Sequence, residues 1–280
     1  MQLRKITAAS AAVLALALTA TACGSDDKDD AAGSGGGEKI TIGIKIDQPG
    51  IGLKTPEGKY TGFDVDVATY VAKELGFDAK NIVFKETKSA DRETAIERGD
   101  VKFIAASYSI NDERLQKVDF AGPYLLAHQD ILVRAGDDSI KSPADLNSKN
   151  LCSVTGSTSA ANVKEKLAPK AQLQEYGGYS ECLTGLENEA VDALTTDDSI
   201  LAGFASQAQF QGKFKLAGFK MSNENYGIGL KKGDADLKKK IDAALTKMVS
   251  DGSWDKAVET NFGPANYKNE PAPKIGNIVK

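Results

Sequence analysis

The chain has 280 residues, enough for one large domain or two medium ones, and its 41% hydrophobic and 26% charged content is that of a globular protein. A formal net charge of −4 supplies no basic footprint, which excludes nucleic acid as a partner. His128 is the only histidine, which argues against a metal or catalytic role for the cysteines.

At the N-terminus Arg4 and Lys5 precede an apolar run over residues 8–18, and small residues Ala20, Thr21 and Ala22 lead into Cys23. The run is too short to span a bilayer, which takes about 20 residues, and has the layout of a signal peptide. A cysteine directly after the cleavage site is similar to a bacterial lipoprotein signal. Residues 1–22 are then removed and Cys23 carries the lipid, although Ala20 stands where Leu is usual. Residues 24–38, GSDDKDDAAGSGGGE, have no apolar face and read as a flexible linker. Asp26, Asp27, Asp29 and Asp30 within it read as solvated charge rather than a metal site. With Cys23 lipidated, Cys152 and Cys182 remain, and an even remainder in an exported chain predicts a disulfide. A loop of that size is worth roughly 3–4 kcal/mol in the chain-entropy model.

Residues 39–45 alternate, with Ile40, Ile42 and Ile44 on one strand face. Gly50, Gly52, Pro56 and Gly58 mark a loop and turn. A helix follows over 62–75, with Phe63, Val67, Val71 and Leu75 on one stripe, Asp64 and Asp66 complementing its dipole, and Gly76 ending it. A strand over 82–86, a helix over 89–98 and a strand over 101–106 complete a β-α-β-α-β series, the signature of a parallel sheet covered by helices. Residues 130–134 read as another strand. The pattern then restarts: strand 151–154, helix 160–167, strand 172–176, helix 180–188 and strand 191–195. A return strand at 226–230, a helix over 234–248, a short helix at 254–259 and a Pro-containing tail from Gly263 finish the chain.

Residues 101–114, VKFIAASYSINDER, concentrate the chemistry. A buried strand runs into Ser107, Tyr108 and Ser109, and Asn111 caps a helix whose first turn holds Arg114. Backbone N–H groups, two hydroxyls and a guanidinium thus converge outside the carboxyl end of a strand, where ligands of open α/β sheets sit. A helix N-terminus and a forked cation suit a carboxylate.

Several stretches resemble the polar amino-acid solute-binding proteins of bacterial ABC importers (family 3). They are GFDVDV from Gly62, SYSINDER from Ser107, Gly156-Ser157-Thr158, VDALTTD from Val191 and DGSW from Asp251. The resemblance covers about 39–263 and is strongest to the glutamate and aspartate binders. It implies a two-lobed α/β periplasmic-binding-protein fold of type II, each lobe a mostly parallel sheet flanked by helices, joined by two hinge crossings near 125–129 and 223–227. Lobe 1 comprises 39–127 plus 224–270, lobe 2 128–223, and 271–280 is a tail. It further implies that Arg114, Ser107, Ser109, Ser157 and Thr158 hold the ligand's α-carboxylate and that Asp197 accepts its α-ammonium. Arg92 and Lys45 stand where acidic-amino-acid binders place cations for the side chain. Gln48 and Ser89 occupy positions where many members carry an aromatic.

Charge then favours an acidic ligand. Arg114, Arg92 and Lys45 against Asp197 make a site of net +2, which two carboxylates and one ammonium answer. An unpaired charge in a closed cleft costs several kcal/mol. The reading is therefore a monomeric, lipid-anchored extracytoplasmic protein that binds free L-glutamate or L-aspartate without cofactor or metal. It hands the ligand to an ABC permease and, through that, to an ATPase. The alternatives are a binder of glutamine or asparagine, a ligand-sensing lipoprotein, and a dehydratase on the same fold. The last lacks a nucleophile–base pair.

Overall fold

The computed structural model describes residues 37–280. The expected signal peptide, the expected lipid attachment at Cys23 and the linker's aspartates lie outside the described residues.

The first elements are β1 (Ile40–Ile44), β2 (Asp47–Gln48), β3 (Gly52–Lys54), β4 (Tyr60–Thr61), α1 (Phe63–Glu74), β5 (Ile82–Glu86), α2 (Arg92–Glu97), β6 (Phe103–Ile104) and α3 (Asp112–Lys117). A long β7 (Val118–Arg134) follows, then β8 (Asn150–Val154), α4 (Thr158–Asn162), β9 (Gln172–Tyr176), α5 (Tyr179–Glu187), β10 (Ala193–Asp197), α6 (Asp198–Ala205) and β11 (Phe214–Leu216). The chain closes with β12 (Asn223–Lys231), α7 (Ala235–Ser250) and α8 (Ser253–Phe262). One sheet has the order β5-β1-β6-β12-β7-β10-β8-β9, with β11 also on β7, and β2-β3-β4 form a small second sheet.

Parallel pairing occupies the two ends, β5-β1-β6 and β10-β8-β9, while β7 and β12 run antiparallel in the centre. β7 pairs with β12 as far as His128 and with β10 from Gln129 onward. β12 is irregular between Tyr226 and Ile228. The two halves of the sheet, each with its helices, are the two lobes of one α/β fold, and β7 and β12 join them.

Local sequence explains most elements. The isoleucines of β1 are buried against Phe63, Val67 and Val71 of α1. α1 ends at Leu75 because Gly76 takes φ 93° and donates its N–H back to the carbonyl of Lys73. Asn111 caps α3 as expected, its Oδ1 accepting from Arg114 N at 2.8 Å. A disulfide joins Cys152 in β8 to Cys182 in α5, with the Cα atoms 5.5 Å apart.

Some expectations need correction. The strand expected over 101–106 is only Phe103–Ile104, because the chain leaves the ladder to enter the turn at Ser107. Residues 130–134 are not a separate strand but the end of β7, whose nearly continuous burial erases the alternation that would have revealed it. The helix expected over 160–167 begins at Thr158 as α-helix and continues as a π-turn. Residues 50–58, expected as loop, contribute β3 to the small sheet. α6 was not foreseen; Ile200, Leu201, Ala202 and Phe204 are all buried, so no polar face marks its period. Asp64 does more than complement a dipole: it is wholly buried and holds the site turn described below.

Candidate functional site

Two sets of parallel strands, β1, β5 and β6 in one half of the sheet and β8 and β10 in the other, deliver polar residues from their carboxyl ends to one place. Lys45 follows β1, Ser89 follows β5, Ser107 follows β6, Ser157 follows β8, and Asp197 ends β10. Between the two halves of the sheet lies a small cavity lined by Ser89, Arg92, Ser107, Arg114, Ser157, Thr158, Tyr179, Asp197 and Ile200.

The turn after β6 is held from below. Ser107 adopts φ 43°, the left-handed region that a residue with a Cβ enters at a cost of order 1–3 kcal/mol. Its N–H donates to Asp64 Oδ2 at 2.7 Å and its hydroxyl to Gln48 Oε1 at 3.1 Å. Asp64 also accepts from the Tyr124 hydroxyl at 2.7 Å, and burial raises its carboxyl to about 6. Gln48 therefore stabilises the turn by accepting the bond from Ser107.

Two guanidiniums flank this turn, and both stand against one ring. Arg92 Cζ lies 4.2 Å and Arg114 Cζ 5.1 Å from the centroid of Tyr108. Arg92 is a buried residue, not the surface partner of Glu93 or Glu97 that its helix position alone allows. It donates to the carbonyls of Ser89, Ala106, Ser107 and Gly156, which occupies four of the five guanidinium N–H groups. Burial, and then the neighbouring Arg114, lower its pKa to about 10. Arg114 donates through Nη1 to the Ser109 carbonyl at 2.7 Å and through Nη2 to the Gly156 carbonyl at 3.0 Å. Its Nε faces Glu93 Oε1 at 3.5 Å. One N–H on each Nη is left over, a pair suited to a carboxylate. Ser109 thus acts through its carbonyl, holding Arg114, and does not line the cavity.

The second half of the sheet supplies the other wall. Gly156 adopts φ 77°, and a Cβ there would lie 2.8 Å from Ala90 Cα, so only glycine brings its carbonyl against both arginines. Ser157 caps α4 by accepting from Ala160 N at 3.0 Å, and Thr158 donates to Glu224 Oε2 at 2.9 Å. Asp197 occupies the N-cap position of α6 yet makes no side-chain cap bond. It accepts instead from the Tyr226 hydroxyl through Oδ2 at 2.5 Å, while Oδ1 is buried without a partner among the described residues. Burial, then Glu224, push its carboxyl well above the usual range. A cationic group in the cavity would answer that oxygen.

Lys45 stands one step back. It is buried, does not line the cavity, and donates from Nζ to Ser89 Oγ at 2.7 Å. Burial, and then Arg92, lower its ammonium to about 7. The sequence-level charge count of +2 is also altered, since Glu93 faces Arg114 and Glu224 lies close to Asp197.

Over residues 40–264 the sequence matches the bacterial extracellular solute-binding proteins, family 3. The chain belongs to this family. Glutamate-binding protein GluB of Corynebacterium efficiens is 46% identical over 273 residues, covering 93% of this chain and 91% of that protein. The ABC transporter glutamine-binding protein GlnH of Bacillus subtilis is 40% identical over 230 residues, covering 81% and 82%. Among solved structures, an ancestral arginine-binding protein bound to glutamine superposes with a TM-score of 0.75 at 36% identity, over 80% of this chain and 98% of that one. A family-3 solute-binding protein is extracytoplasmic and binds rather than transforms its ligand, and this chain is a binding protein, not an enzyme.

For this solute-binding protein the fold brings Arg92, Arg114, Ser107, Ser157, Thr158 and Asp197 to one cavity, with Ser109 and Lys45 immediately behind it. Sequence reading missed Tyr179, Ile200 and the Gly156 carbonyl. Tyr179 had a legible signal, since Gly177 and Gly178 separate a strand from the helix it opens. Its hydroxyl lies near enough to Asp197, Thr196, Ser157 and Arg92 for all of them to bear on its acidity, which burial lowers. Ile200 belongs to the unforeseen α6. Among the described residues no cluster of metal-ligating side chains occurs.

Proposed function

We propose that this protein captures an acidic L-amino acid, L-glutamate foremost and L-aspartate next, between lobes formed by 39–127 plus 224–270 and by 128–223, and delivers it to an ABC importer. The observation that carries the reading is a single cavity lined by Arg92 and Arg114 on one side and by the unpartnered, buried Asp197 Oδ1 on the other. Arg114 takes the α-carboxylate with its two remaining N–H groups, helped by Ser107, Ser157 and Thr158, and Asp197 takes the α-ammonium. Arg92 and, through Ser89, Lys45 supply positive potential to the side-chain carboxylate. The 46% identity to a protein named for glutamate binding supports the same choice. Cys23 anchors the protein by lipid at the outer face of the membrane; a Cys23→Ser variant is expected to leave the membrane fraction.

A neutral ligand such as glutamine is the second reading. It is favoured by the occupation of four Arg92 donors by carbonyls and by the 40% identity to a glutamine-binding protein. Calorimetric titration with glutamate, aspartate, glutamine and asparagine separates the two. The acidic reading predicts glutamate tighter than glutamine by at least about 1.4 kcal/mol, one decade; equal affinity, or tighter glutamine, overturns it.

A further inference from the structure

The family match ends at residue 264, yet the segment beyond it is fastened across the crossing between the two halves of the sheet. The Tyr267 hydroxyl donates to Asp198 Oδ1 at 2.8 Å, tying the segment to α6. Glu270 Oε1 accepts from Lys220 Nζ at 2.9 Å and lies 3.1 Å from His128 Nε2, on the last residue of β7 that pairs with β12. Farther along, Gly276 N donates to the Gly122 carbonyl at 2.8 Å, on the other half. Val279 is clasped by the side-chain amide of Asn225, its N–H donating to Oδ1 at 3.0 Å and its carbonyl accepting from Nδ2 at 2.9 Å.

Alternation along β12 links this segment to the cavity. Asn223 and Asn225 hold the segment, whereas Glu224 meets Thr158 and Tyr226 meets Asp197. The same strand therefore carries the strap on one face and groups that reach the cavity wall on the other. In this conformation the lobes touch, with Gly156 O on both arginines and Asp47 Oδ2 on Tyr179 N at 2.9 Å. From this geometry we infer that residues 267–280 are a hinge strap, which holds the closed arrangement of the lobes and so slows ligand release without choosing the ligand. The inference rests on the hinge-closing reading of the function.

The test uses the full chain carrying Tyr267→Phe, Glu270→Gln and Val279→Pro together, none of which touches the cavity. Stopped-flow release of L-glutamate is expected to quicken by about tenfold, a difference of about 1.4 kcal/mol. The ratio of glutamate to glutamine affinity stays unchanged, and small-angle scattering without amino acid shows a larger radius of gyration than the parent. An unchanged radius, or a changed ratio, overturns the strap. Circular dichroism checks folding, and Tyr267→Phe alone, the loss of one hydroxyl, gives a milder effect in the same direction if the triple variant is unstable. Should the parent bind neither amino acid, the functional reading fails by itself, and the scattering comparison alone still decides the strap.

Discussion

Tyr226 and Asp197 meet across the sheet, the hydroxyl of one donating to Oδ2 of the other at 2.5 Å. Tyr226 comes from β12, the strand returning through the crossing, and Asp197 from the carboxyl end of β10. The bond fixes one carboxylate oxygen and leaves Oδ1 buried and unpartnered. Without a cation there, the buried carboxylate is costly. Asp197→Asn is expected to weaken binding of every amino acid by about two to three decades, as truncating one member of a buried ion pair does. Tyr226→Phe should weaken it by roughly one decade through the lost hydrogen bond to a charged group. Titration with glutamate and glutamine measures both.

Arg114→Ala tests the α-carboxylate contact. All amino acids share that group, so glutamate and glutamine should lose affinity alike, by about 3–5 kcal/mol. A loss confined to glutamate would reassign Arg114 to the side chain.

Arg92→Ala carries two consequences. Four backbone carbonyls lose their donor, so unfolding in denaturant should occur with at least about 2 kcal/mol less stability. Because its charge also faces the cavity, the preference for glutamate over glutamine should shrink by about tenfold or more. If stability alone falls, Arg92 is part of the scaffold and the acidic reading depends on Lys45.

Lys45 governs pH dependence. Burial, and then Arg92, lower its pKa in the folded protein from the ordinary 10.5 to about 7, so between those values the unfolded chain holds more protons than the folded one. Stability from this group is therefore full above 10.5 and is lost as pH falls toward 7. An anionic ligand side chain acts in the opposite sense by favouring the ammonium, so binding takes up a proton above pH 7. Glutamate affinity should fall with rising pH by up to about tenfold per unit. Glutamine affinity should stay nearly level, and Lys45→Met should remove the slope. Calorimetry in buffers of different ionisation enthalpy counts the proton.

The Cys152–Cys182 bond joins β8 to α5, the helix that brings Tyr179 to the cavity. Replacing both cysteines with Ala should lower the unfolding free energy by about 2–5 kcal/mol, measured by denaturant titration. The order of ligand preference should survive, because neither sulfur touches the cavity.

Local chemistry by itself determined a good part of this protein. Alternation placed Ile40, Ile42 and Ile44 in the core, four-residue spacing placed Phe63 and Val67 there, and Asn111 fixed the start of α3 at Asp112. Cysteine parity paired Cys152 with Cys182. These outcomes depend on neighbours in sequence or on counting, so they can be read without coordinates. Tertiary structure alone decided the rest. Helix α6 is buried on every side and so shows no period, and β7 is buried too continuously to alternate. The Asp64 carboxylate looked like a helix-end charge until the fold brought Ser107 N and the Tyr124 hydroxyl to it from 43 and 60 residues away. Lys45 and Arg92 kept their positions near the site, but burial and a neighbouring arginine, Arg92 for the first and Arg114 for the second, lowered the pKa of each. Desolvation and long-range partners belong to the assembled cavity, and no stretch of sequence contains them.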